Sequence, residues 1–348
     1  MLILSTVVFS FFGCGGVKSE KQVYTEPTDT PAAESEKTPE ASQSPTSEAN
    51  LFNHDFIVPD PSIRPVAVMI DNQGNRVLPQ GGIGQAQIVY EILTEYNITR
   101  YMALFWGTMP EMIGPVRSSR HYFLDYALEY DAVYTHFGWS VYAKNDIAKL
   151  KINNINGLIH GDAFWDISKD KGNWQDSYTS KDRITKQIEA LKYSNEPKKT
   201  FPFTYEDQLK VLDNGQKAED VFIRFGTSGS SSCGYLYHAS SMMFKRIRMG
   251  SPQTDRNTGE PIMVTNIIVQ EIFSHKIKND NYGCITLDNI GSGQGYYITA
   301  GKAQKIKWTK NKRDAQTQYT AEDGKPLSLN RGQTWVEIVP DIKQVKLQ

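Results

Sequence analysis

The sequence predicts an α+β protein built from two lobes. Between residues 60 and 200, buried alternating segments are separated by segments of helical periodicity, which favours a mixed α/β lobe. Between residues 215 and 342, short alternating segments follow one another across turn-rich intervals, which favours antiparallel sheet. About 300 residues follow residue 50, more than one hydrophobic core usually organises, so we expect two domains with these boundaries.

Each element of the first lobe follows from its periodicity and its flanking turn residues. Val66, Val68 and Ile70 alternate along a strand that delivers Asp71 at its end. Gly114-Pro115 breaks the chain before Ser118 or Ser119, either of which could cap a helix. The predicted elements are strands over 64–71, 98–106 and 132–139, and helices over 84–95, from Ser118 or Ser119 to Tyr130, and over 141–150.

The second lobe is predicted from short alternating segments and the turn clusters that separate them. Residues 254–260 and 322–325 have the composition of hairpin tips. The predicted strands are 221–225, 235–238, 262–272, 285–290, 295–299, 306–309 and 334–339.

The N-terminal residues predict a lipid-anchored protein. Residues 1–14 form a short apolar segment that ends in Phe-Phe-Gly-Cys, a variant lipobox, so Cys14 is the expected lipid attachment site. Residues 15–50 contain no Leu, Ile, Met, Phe or Trp and hold seven acidic residues against three Lys, a composition typical of a disordered tether. The expected location is therefore extracytoplasmic, with the membrane as a partner through the lipid on Cys14.

Several motifs in the chain resemble those of the YerB-like lipoproteins. They are Arg64-Pro-Val-Ala-Val-Met-Ile-Asp-Asn, Ala86-Gln-Ile-Val-Tyr-Glu, Ile98-Thr-Arg, Ile113-Gly-Pro-Val-Arg-Ser-Ser-Arg, Leu128-Glu-Tyr-Asp-Ala and Leu329-Asn-Arg-Gly-Gln-Thr-Trp. The resemblance implies a layered sheet, sheet and helix first domain followed by a mainly antiparallel β second domain. It implies no reaction, and Asn173-Trp-Gln-Asp-Ser lacks the His-Asn pair that the family usually has before Tyr-Thr-Ser.

The Arg117 to Arg120 segment is the main candidate for ligand binding. A helix start favours an anion, two guanidiniums reinforce that preference, and Ser118 and Ser119 add donors. Arg120 should point inward, so an internal ion pair with Glu91, Glu95 or Asp71 is the alternative to ligand binding. Two further ligand-binding candidates are Arg100, in the Ile98-Thr-Arg motif, and Asp125, which could position the guanidiniums.

Carboxylates and histidines are the candidates for catalysis. Asp71 or Glu91 could act as general acid or base on a glycan, with His136 nearby, although structural roles explain these residues better. Cys233 and Cys284 could form a disulfide or remain two buried thiols. No metal-ligand spacing and no cofactor motif is found, because the calcium-like Asp255-Arg-Asn-Thr-Gly lacks the acidic residue expected beyond its glycine.

Cations dominate residues 302–313, which contain six Lys and Arg residues before the first acid. Outside a cell such a patch meets an anionic cell-wall polymer or anionic lipid, and no nucleic acid is expected. A solvated edge strand guarded by Lys explains it as well. The overall net charge of −1 excludes no class of partner.

Three functions remain open on the sequence alone. The first is a membrane-tethered binding or assembly factor for an anionic envelope ligand or a partner protein. The second is a metal-independent cell-wall hydrolase or lyase that uses a carboxylate, and the third is a structural lipoprotein that acts through protein contacts only. An enzyme should keep a carboxylate without an Arg partner in a polar cleft, a binding factor should pair its carboxylates, and a structural lipoprotein should expose an apolar patch on the second lobe.

Overall fold

A computed structural model describes residues 52–53, 55–168, 175–227 and 229–348. The predicted signal segment, the lipid site Cys14 and the predicted tether lie outside the described residues, as does Asn173. Residues Ala49–Gln348 form one compact unit. None of the helices in the described part of the chain has the length and apolar character needed to cross a lipid bilayer.

Three α-helices and 23 strands are found in the described ranges. The helices are α1 (His121–Glu129), α2 (Val141–Lys149) and α3 (Lys181–Ala190). The strands up to residue 206 are β1 (Val66–Asp71), β2 (Ile88–Leu93), β3 (Thr99–Phe105), β4 (Val133–His136), β5 (Asn154–Asn156), β6 (Trp165–Asp166), β7 (Ser177–Tyr178) and β8 (Thr204–Glu206). The later strands are β9 (Gln216–Lys217), β10 (Asp220–Arg224), β11 (Ser232–His238), β12 (Met243–Arg248), β13 (Ser251–Pro252), β14 (Met263–Val264), β15 (Asn266–Glu271), β16 (Ser274–Lys276), β17 (Ile285–Leu287), β18 (Gly291–Thr299), β19 (Lys302–Lys310), β20 (Gln318–Ala321), β21 (Ser328–Asn330), β22 (Thr334–Val339) and β23 (Val345–Leu347).

One large sheet runs through the whole unit. Its strand order is β20-β19-β18-β15-β22-β2-β3-β1-β4-β5, with β9 beside β19. Strands from the first and second halves of the chain meet where β22 pairs with β2 in parallel, Thr334 opposite Ile88. The predicted lobes therefore share one continuous sheet.

The two faces of the large sheet are covered differently. One face, which includes Val68 of β1 and Val269 of β15, packs against a six-stranded sheet of order β13-β12-β11-β10-β23 with β14 beside β12. The other face packs against α1 through Tyr122, Phe123 and Tyr126. This arrangement of sheet, sheet and helix confirms the α+β fold class, because a sheet that is buried on both faces needs a layer on each side.

The predicted helix over residues 84–95 is wrong. A short 3-10 turn at Ile83–Gln85 is followed by the strand β2, whose residues are almost all buried. A strand that is covered on both faces carries consecutive apolar residues, and such a segment fits one face of a helix as well as it fits a strand. The first-lobe strands and the helix α2 lie where they were predicted.

The second half agrees with its predicted antiparallel character. Each predicted strand overlaps one in the structure, while β9, β12, β13, β16, β20, β21 and β23 were not predicted. The Gly291-Ser-Gly-Gln-Gly segment, which lies between two predicted strands, belongs to β18. It pairs with β19 throughout, and Gly295 also pairs with Gln270 of β15, so its glycines belong to regular sheet.

Candidate functional site

The Arg117 segment is fixed by backbone hydrogen bonds on two sides. The amide of Arg117 donates to the carbonyl oxygen of Met69 on β1, at 2.9 Å. The carbonyl oxygen of Arg117 accepts from Phe137 N at 3.0 Å, and Ser119 N donates to Gly138 O at 2.9 Å. The segment is thus clamped between the end of β1 and the turn after β4, so its side chains project from a rigid base.

Two buried carboxylates hold the two arginines that the sequence singled out. The Nε of Arg117 lies 3.0 Å from Oδ2 of Asp71, the residue that ends β1. The Nε of Arg120 donates to Oε1 of Glu95 at 2.6 Å. Asp71 is fully buried and Glu95 is 4% exposed. The expected internal ion pairs are therefore present, with Glu95 as the partner of Arg120.

Arg100 lies between these two ion pairs and has no carboxylate of its own. It is opposite Asp71 in the register of β1 and β3, and it is 2% exposed. Its Nη1 donates to the carbonyl oxygen of Ser118 at 2.6 Å, and no described residue accepts from its Nε. Burial lowers the pKa of Arg100 to about 10, and the positive charges of Arg120 and Arg117 act in the same direction.

Arg100 is the member of this group without a carboxylate partner among the described residues. Asp71 pairs with Arg117 and Glu95 pairs with Arg120, and both carboxylates lie near Arg100 without a direct ion pair to it. An anion is favoured beside Arg100 because a buried charge without a paired counterion is costly.

The two serines of the segment have structural contacts. The Oγ of Ser119 accepts from the hydroxyl of Tyr134 at 3.1 Å, and Ser119 is fully buried. Ser118 is partly exposed and packs against the turn glycine Gly138. The sequence predicted Ser118 or Ser119 as the cap of α1, and this prediction is wrong. The helix begins at His121, with Arg120 in the cap position and no side-chain cap bond.

A cleft of about 400 Å³ opens next to the Arg120 and Glu95 pair. Four parts of the chain form its walls: the turn between β2 and β3, the start of α1, the start of α2, and the loop between β16 and β17. Its lining residues are Glu95, Tyr96, Arg120, Trp139, Ser140, Val141, Tyr282 and Cys284.

Asp125 is not part of this group, which corrects its predicted role in positioning Arg117 and Arg120. Its Oδ1 accepts from Arg313 Nε at 2.6 Å, and its Oδ2 accepts from Asn289 Nδ2 at 3.0 Å. Burial raises the pKa of Asp125 to about 6, although Arg313 opposes the shift. Asp125 instead joins α1 to the segment after β19.

Glu91 belongs to a second buried group on the opposite side of the chain's central sheet from α1. Its Oε1 accepts from Thr99 Oγ1 at 2.5 Å and from Asn72 Nδ2 at 3.1 Å. Its Oε2 accepts from the Nη2 of Arg246, a residue of β12 that is fully buried. The Nη1 of Arg246 donates to Oε1 of Glu337 at 2.9 Å.

Glu337 completes this second group. Burial and the negative charge of Glu91 raise the pKa of Glu337 to about 8, although Arg246 opposes both effects. Among the described residues, no donor reaches its Oε2. Glu91, Glu337 and Cys233 have the spacing of metal ligands, but the guanidinium of Arg246 already bridges the two carboxylates. A cation does not fit where another cation is held.

The remaining catalytic and disulfide candidates have ordinary structural surroundings. His136 is fully buried, with Nδ1 2.7 Å from Gly138 O and Nε2 3.1 Å from Asn154 Oδ1. Burial lowers the pKa of His136 to about 4, so the ring is neutral near pH 7. Cys233 and Cys284 are free thiols, which corrects the possible bridge: Cys233 lies near Glu337, and Cys284 lines the cleft.

Two of the six cations over residues 302–313 are used in internal ion pairs. Lys310 is buried and lies 2.6 Å from Oε1 of Glu129. Arg313 contacts Asp125 at 2.6 Å and Asp146 at 2.7 Å. The exposed Lys305 and Lys307 remain on β19, so the patch is weaker than its sequence suggests.

The layered fold is that of an α+β protein assembled from two sequence segments around one shared sheet, with Arg100, Arg117 and Arg120 forming an arginine cluster. The chain belongs to a protein family of unknown function (DUF3048), with the family's N-terminal domain at residues 58–194 and its C-terminal domain at residues 221–336. The arginine cluster lies within the first segment, and Arg246 lies within the second. The resemblance to the YerB-like lipoproteins is thereby confirmed.

The similarity to YerB extends over most of both chains. A protein of Bacillus subtilis (strain 168), YerB, whose name describes it as a lipoprotein, is 34% identical over 283 residues, which cover 80% of this chain and 82% of that protein. The crystal structure of YerB from Bacillus subtilis matches with a TM-score of 0.73 and 32% identity, covering 83% of this chain and 94% of that chain. The family thus supports a lipoprotein nature for this chain and assigns it no reaction.

The sequence did not single out Arg246 and Glu337, although a signal for Arg246 was present. Phe244, Arg246 and Arg248 alternate along β12 and all point inward, so the apolar Phe244 marks the face that the arginines share. Glu337 sits in a strand that is buried on both faces, where alternation gives no information.

Proposed function

We propose that this protein is a lipid-anchored binding factor that works outside the cytoplasm and takes an anionic ligand at the arginine cluster. Arg117 and Arg120 contact the ligand, and the buried Arg100 strengthens the positive field from beneath the Arg117 to Arg120 segment. The lipid on Cys14 holds the folded unit near the membrane surface, where anionic polymers of the cell envelope are within reach.

The buried Arg100 is the observation that carries this proposal. Arg100 is buried with one side-chain hydrogen bond to a carbonyl oxygen and without a carboxylate partner among the described residues. Desolvating a guanidinium costs several kcal/mol unless an opposite charge compensates it, in the order of magnitude that buried ions show. A bound anion supplies that compensation, and the neighbouring Arg117 and Arg120 provide hydrogen-bond donors.

Binding is better supported than hydrolysis. Each candidate carboxylate has an arginine partner: Asp71 with Arg117, Glu95 with Arg120, Asp125 with Arg313, and Glu91 with Arg246. A glycosidase needs two carboxyl groups free to flank one bond, one of which donates a proton. Glu337 is a protonated acid near neutral pH, but it is fully buried between the large sheet and the six-stranded sheet and does not line the cleft.

Sedimentation with isolated bacterial cell-wall sacculi tests the proposal. The full-length chain, purified in neutral detergent, is mixed with sacculi, and the pelleted fraction is measured at low and high salt. We expect association that weakens as salt rises, because the contact is between charges. Arg120→Gln and Arg117→Gln should each weaken binding by about 10-fold, the size of one charge-assisted hydrogen bond.

Lys325→Gln is the matched control, since it removes one positive charge from an exposed hairpin tip where Lys325 is 80% exposed. Circular dichroism verifies that each variant is folded. Binding that is identical in the Arg117 and Arg120 variants, or release of defined wall fragments into the supernatant, would contradict the proposal.

A second candidate, binding of a partner protein, has one observation in its favour. Phe273 is 61% exposed and Ile290 is 47% exposed, and both line a second cleft of about 470 Å³ in the later half of the chain. Exposed apolar residues that meet at one cleft mark interaction surfaces. Association that Phe273→Ser abolishes and the arginine variants leave intact would favour this candidate.

A further inference from the structure

Aromatic rings dominate the rim of the cleft beside Arg120. Tyr96 is 81% exposed and Tyr282 is 74% exposed, while Trp139 is partly buried in the wall. Val141 adds an aliphatic side chain that is 54% exposed. Exposed aromatic rings are costly to solvate, and their collection around one concave site indicates a ligand with apolar faces.

Tyr96 occupies an unfavourable backbone conformation. Tyr96 and Asn97 have φ angles of 63° and 56°, in the turn that connects β2 to β3. Two successive positive φ angles favour Asn and Gly, whereas a bulky aromatic residue costs about 1 kcal/mol or more there. The turn is held by the Tyr96 hydroxyl, which donates to Tyr282 O at 3.2 Å, and by Asn97 Nδ2, which donates to Thr227 Oγ1 at 2.9 Å. An exposed tyrosine kept in a strained turn points to a role at the cleft.

The floor of the cleft is polar, and the ion pair of Arg120 with Glu95 lies there. Arg120 uses Nε for Glu95 and Nη1 for Ser119 O, and no described residue accepts from its Nη2. Lys144 lies with Nζ 5.8 Å from the ring centre of Trp139. The nearby acid Asp280 already accepts from the backbone amides of Tyr282 and Cys284 and from the hydroxyl of Tyr142. A ligand in the cleft therefore meets donors on its polar side.

We propose that this cleft binds a saccharide that carries a carboxylate group. The C–H faces of the sugar rings stack on Tyr96, Trp139 and Tyr282, and Arg120 binds the carboxylate. The inference rests on the proposed function, since it names the chemistry of the anion that the arginine cluster takes.

Each part of the cleft matches one part of such a ligand. A simple phosphate or a short acid would use Arg120 and leave the exposed rings without contacts. A neutral sugar would stack on the rings and bring no carboxylate to Nη2 of Arg120, from which no described residue accepts. The cleft volume of about 400 Å³ lies in the range of small-molecule sites, about 300–1,000 Å³. An acidic saccharide uses the rings and the guanidinium together.

Binding to four defined probes tests this inference. The full-length chain in neutral detergent is titrated with soluble wall glycan strands freed of peptides, whose muramic acid units carry carboxylates. The same strands with their carboxylates amidated, polyglutamate and polyphosphate are the other probes. We expect the carboxylated strands to bind at least about 10-fold more tightly than the amidated strands and polyphosphate, because only the former engage both rings and Arg120.

Tyr96→Asn is the decisive variant. Asn suits a positive φ, so the turn and the fold are retained while the aromatic face is removed. Affinity for the carboxylated strands should fall about 10-fold, the size of one lost stacking contact, with polyphosphate binding unchanged. Leu236→Ala removes an exposed apolar side chain outside the cleft and should change nothing.

The outcomes separate this inference from the proposed function. Equal binding of every anion, with no effect of Tyr96→Asn, would overturn the saccharide site and leave an anion-binding arginine cluster. A preference for polyglutamate over the glycan strands would identify an acidic-peptide site instead and would also overturn it. If the wild-type chain binds none of the anionic probes, both proposals fail.

Discussion

At the scale of single residues, the guanidinium of Arg246 contacts two carboxylates that come from opposite halves of the chain. It bridges Glu91 and Glu337 and lies 3.7 Å from the ring centre of Trp335. Burial and the closeness of the two carboxylates favour a proton on one of them. We assign the proton to Glu337, because both oxygens of Glu91 accept side-chain hydrogen bonds whereas no described donor reaches Oε2 of Glu337.

This assignment predicts how stability depends on pH. The pKa of Glu337 is raised from 4.5 to about 8, so between these values the folded state holds a proton that the unfolded state has lost. Stability should therefore fall as pH rises from about 4.5 to 8, with a maximal slope near 1.4 kcal/mol per pH unit from this group. Glu337→Gln removes the titration, and denaturant unfolding at several pH values should give a flatter profile.

The comparison of slopes isolates Glu337 from the other groups that titrate in this window. Asp125 and His136 keep their shifted pKa values in both proteins, so their contributions cancel in the difference. Tyr235 and Cys233, which also face Glu337, stay neutral because burial raises the pKa of each side chain well above its usual value. Identical slopes in the two proteins between pH 5 and 8 would refute the assignment.

Sequence reasoning identified part of the residues at this scale. It identified Arg117, Arg120 and their need for carboxylates, because an arginine next to apolar helix residues must point inward. It could not find the grouping of Arg100 with them, since that depends on the register that sets Arg100 opposite Asp71. It could not pair Glu91 with Arg246 either, because 155 residues separate them.

At the scale of elements, the sequence predictions are wrong at β2 and at the start of α1. The first error arises because the period of a helix and the period of a strand give the same apolar positions. β2 was mistaken for a helix because Ile88, Val89, Ile92 and Leu93 satisfy both patterns when a strand is buried on both faces. The start of α1 was placed too early because Ser118 and Ser119 resemble cap residues. Their backbone amides and carbonyls are instead committed to Gly138, Ser140 and Arg100, so the helix begins after them.

Helix capping gives a prediction at this scale. Ser180 caps α3, since its Oγ accepts from the amide of Arg183 at 3.3 Å. Ser180→Ala should lower the free energy of unfolding by about 1 kcal/mol, whereas Ser180→Thr should retain most of it. Chemical denaturation measures both. A larger loss in Ser180→Thr than in Ser180→Ala would show that packing around this 7% exposed residue, and not the cap, controls its contribution.

At the scale of the whole molecule, the decisive feature is the pairing of β2 with β22. It places Glu91 opposite Glu337 and joins the two family segments through main-chain hydrogen bonds as well as through Arg246. Local patterns predicted most strands on each side of this junction. The junction itself could not be predicted, because the pairing of two strands that are buried on both faces leaves no local trace of the partner.

The shared sheet predicts that residues 52–348 unfold together. Differential scanning calorimetry of the full-length chain should show one main transition, because neither family segment can expose its edge at β2 or β22 without exposing apolar core.

Arg246→Met leaves two buried carboxylates without their cation, a change that costs about 3–5 kcal/mol. The melting temperature should then fall by roughly 5–15 °C as a single shifted transition. Lys325→Gln should leave it nearly unchanged, since its ion pair with Asp323 is exposed. Two separate transitions in the wild type, or a second peak in Arg246→Met while the first stays in place, would mean that the segments fold independently and that the β2–β22 junction contributes little to their stability.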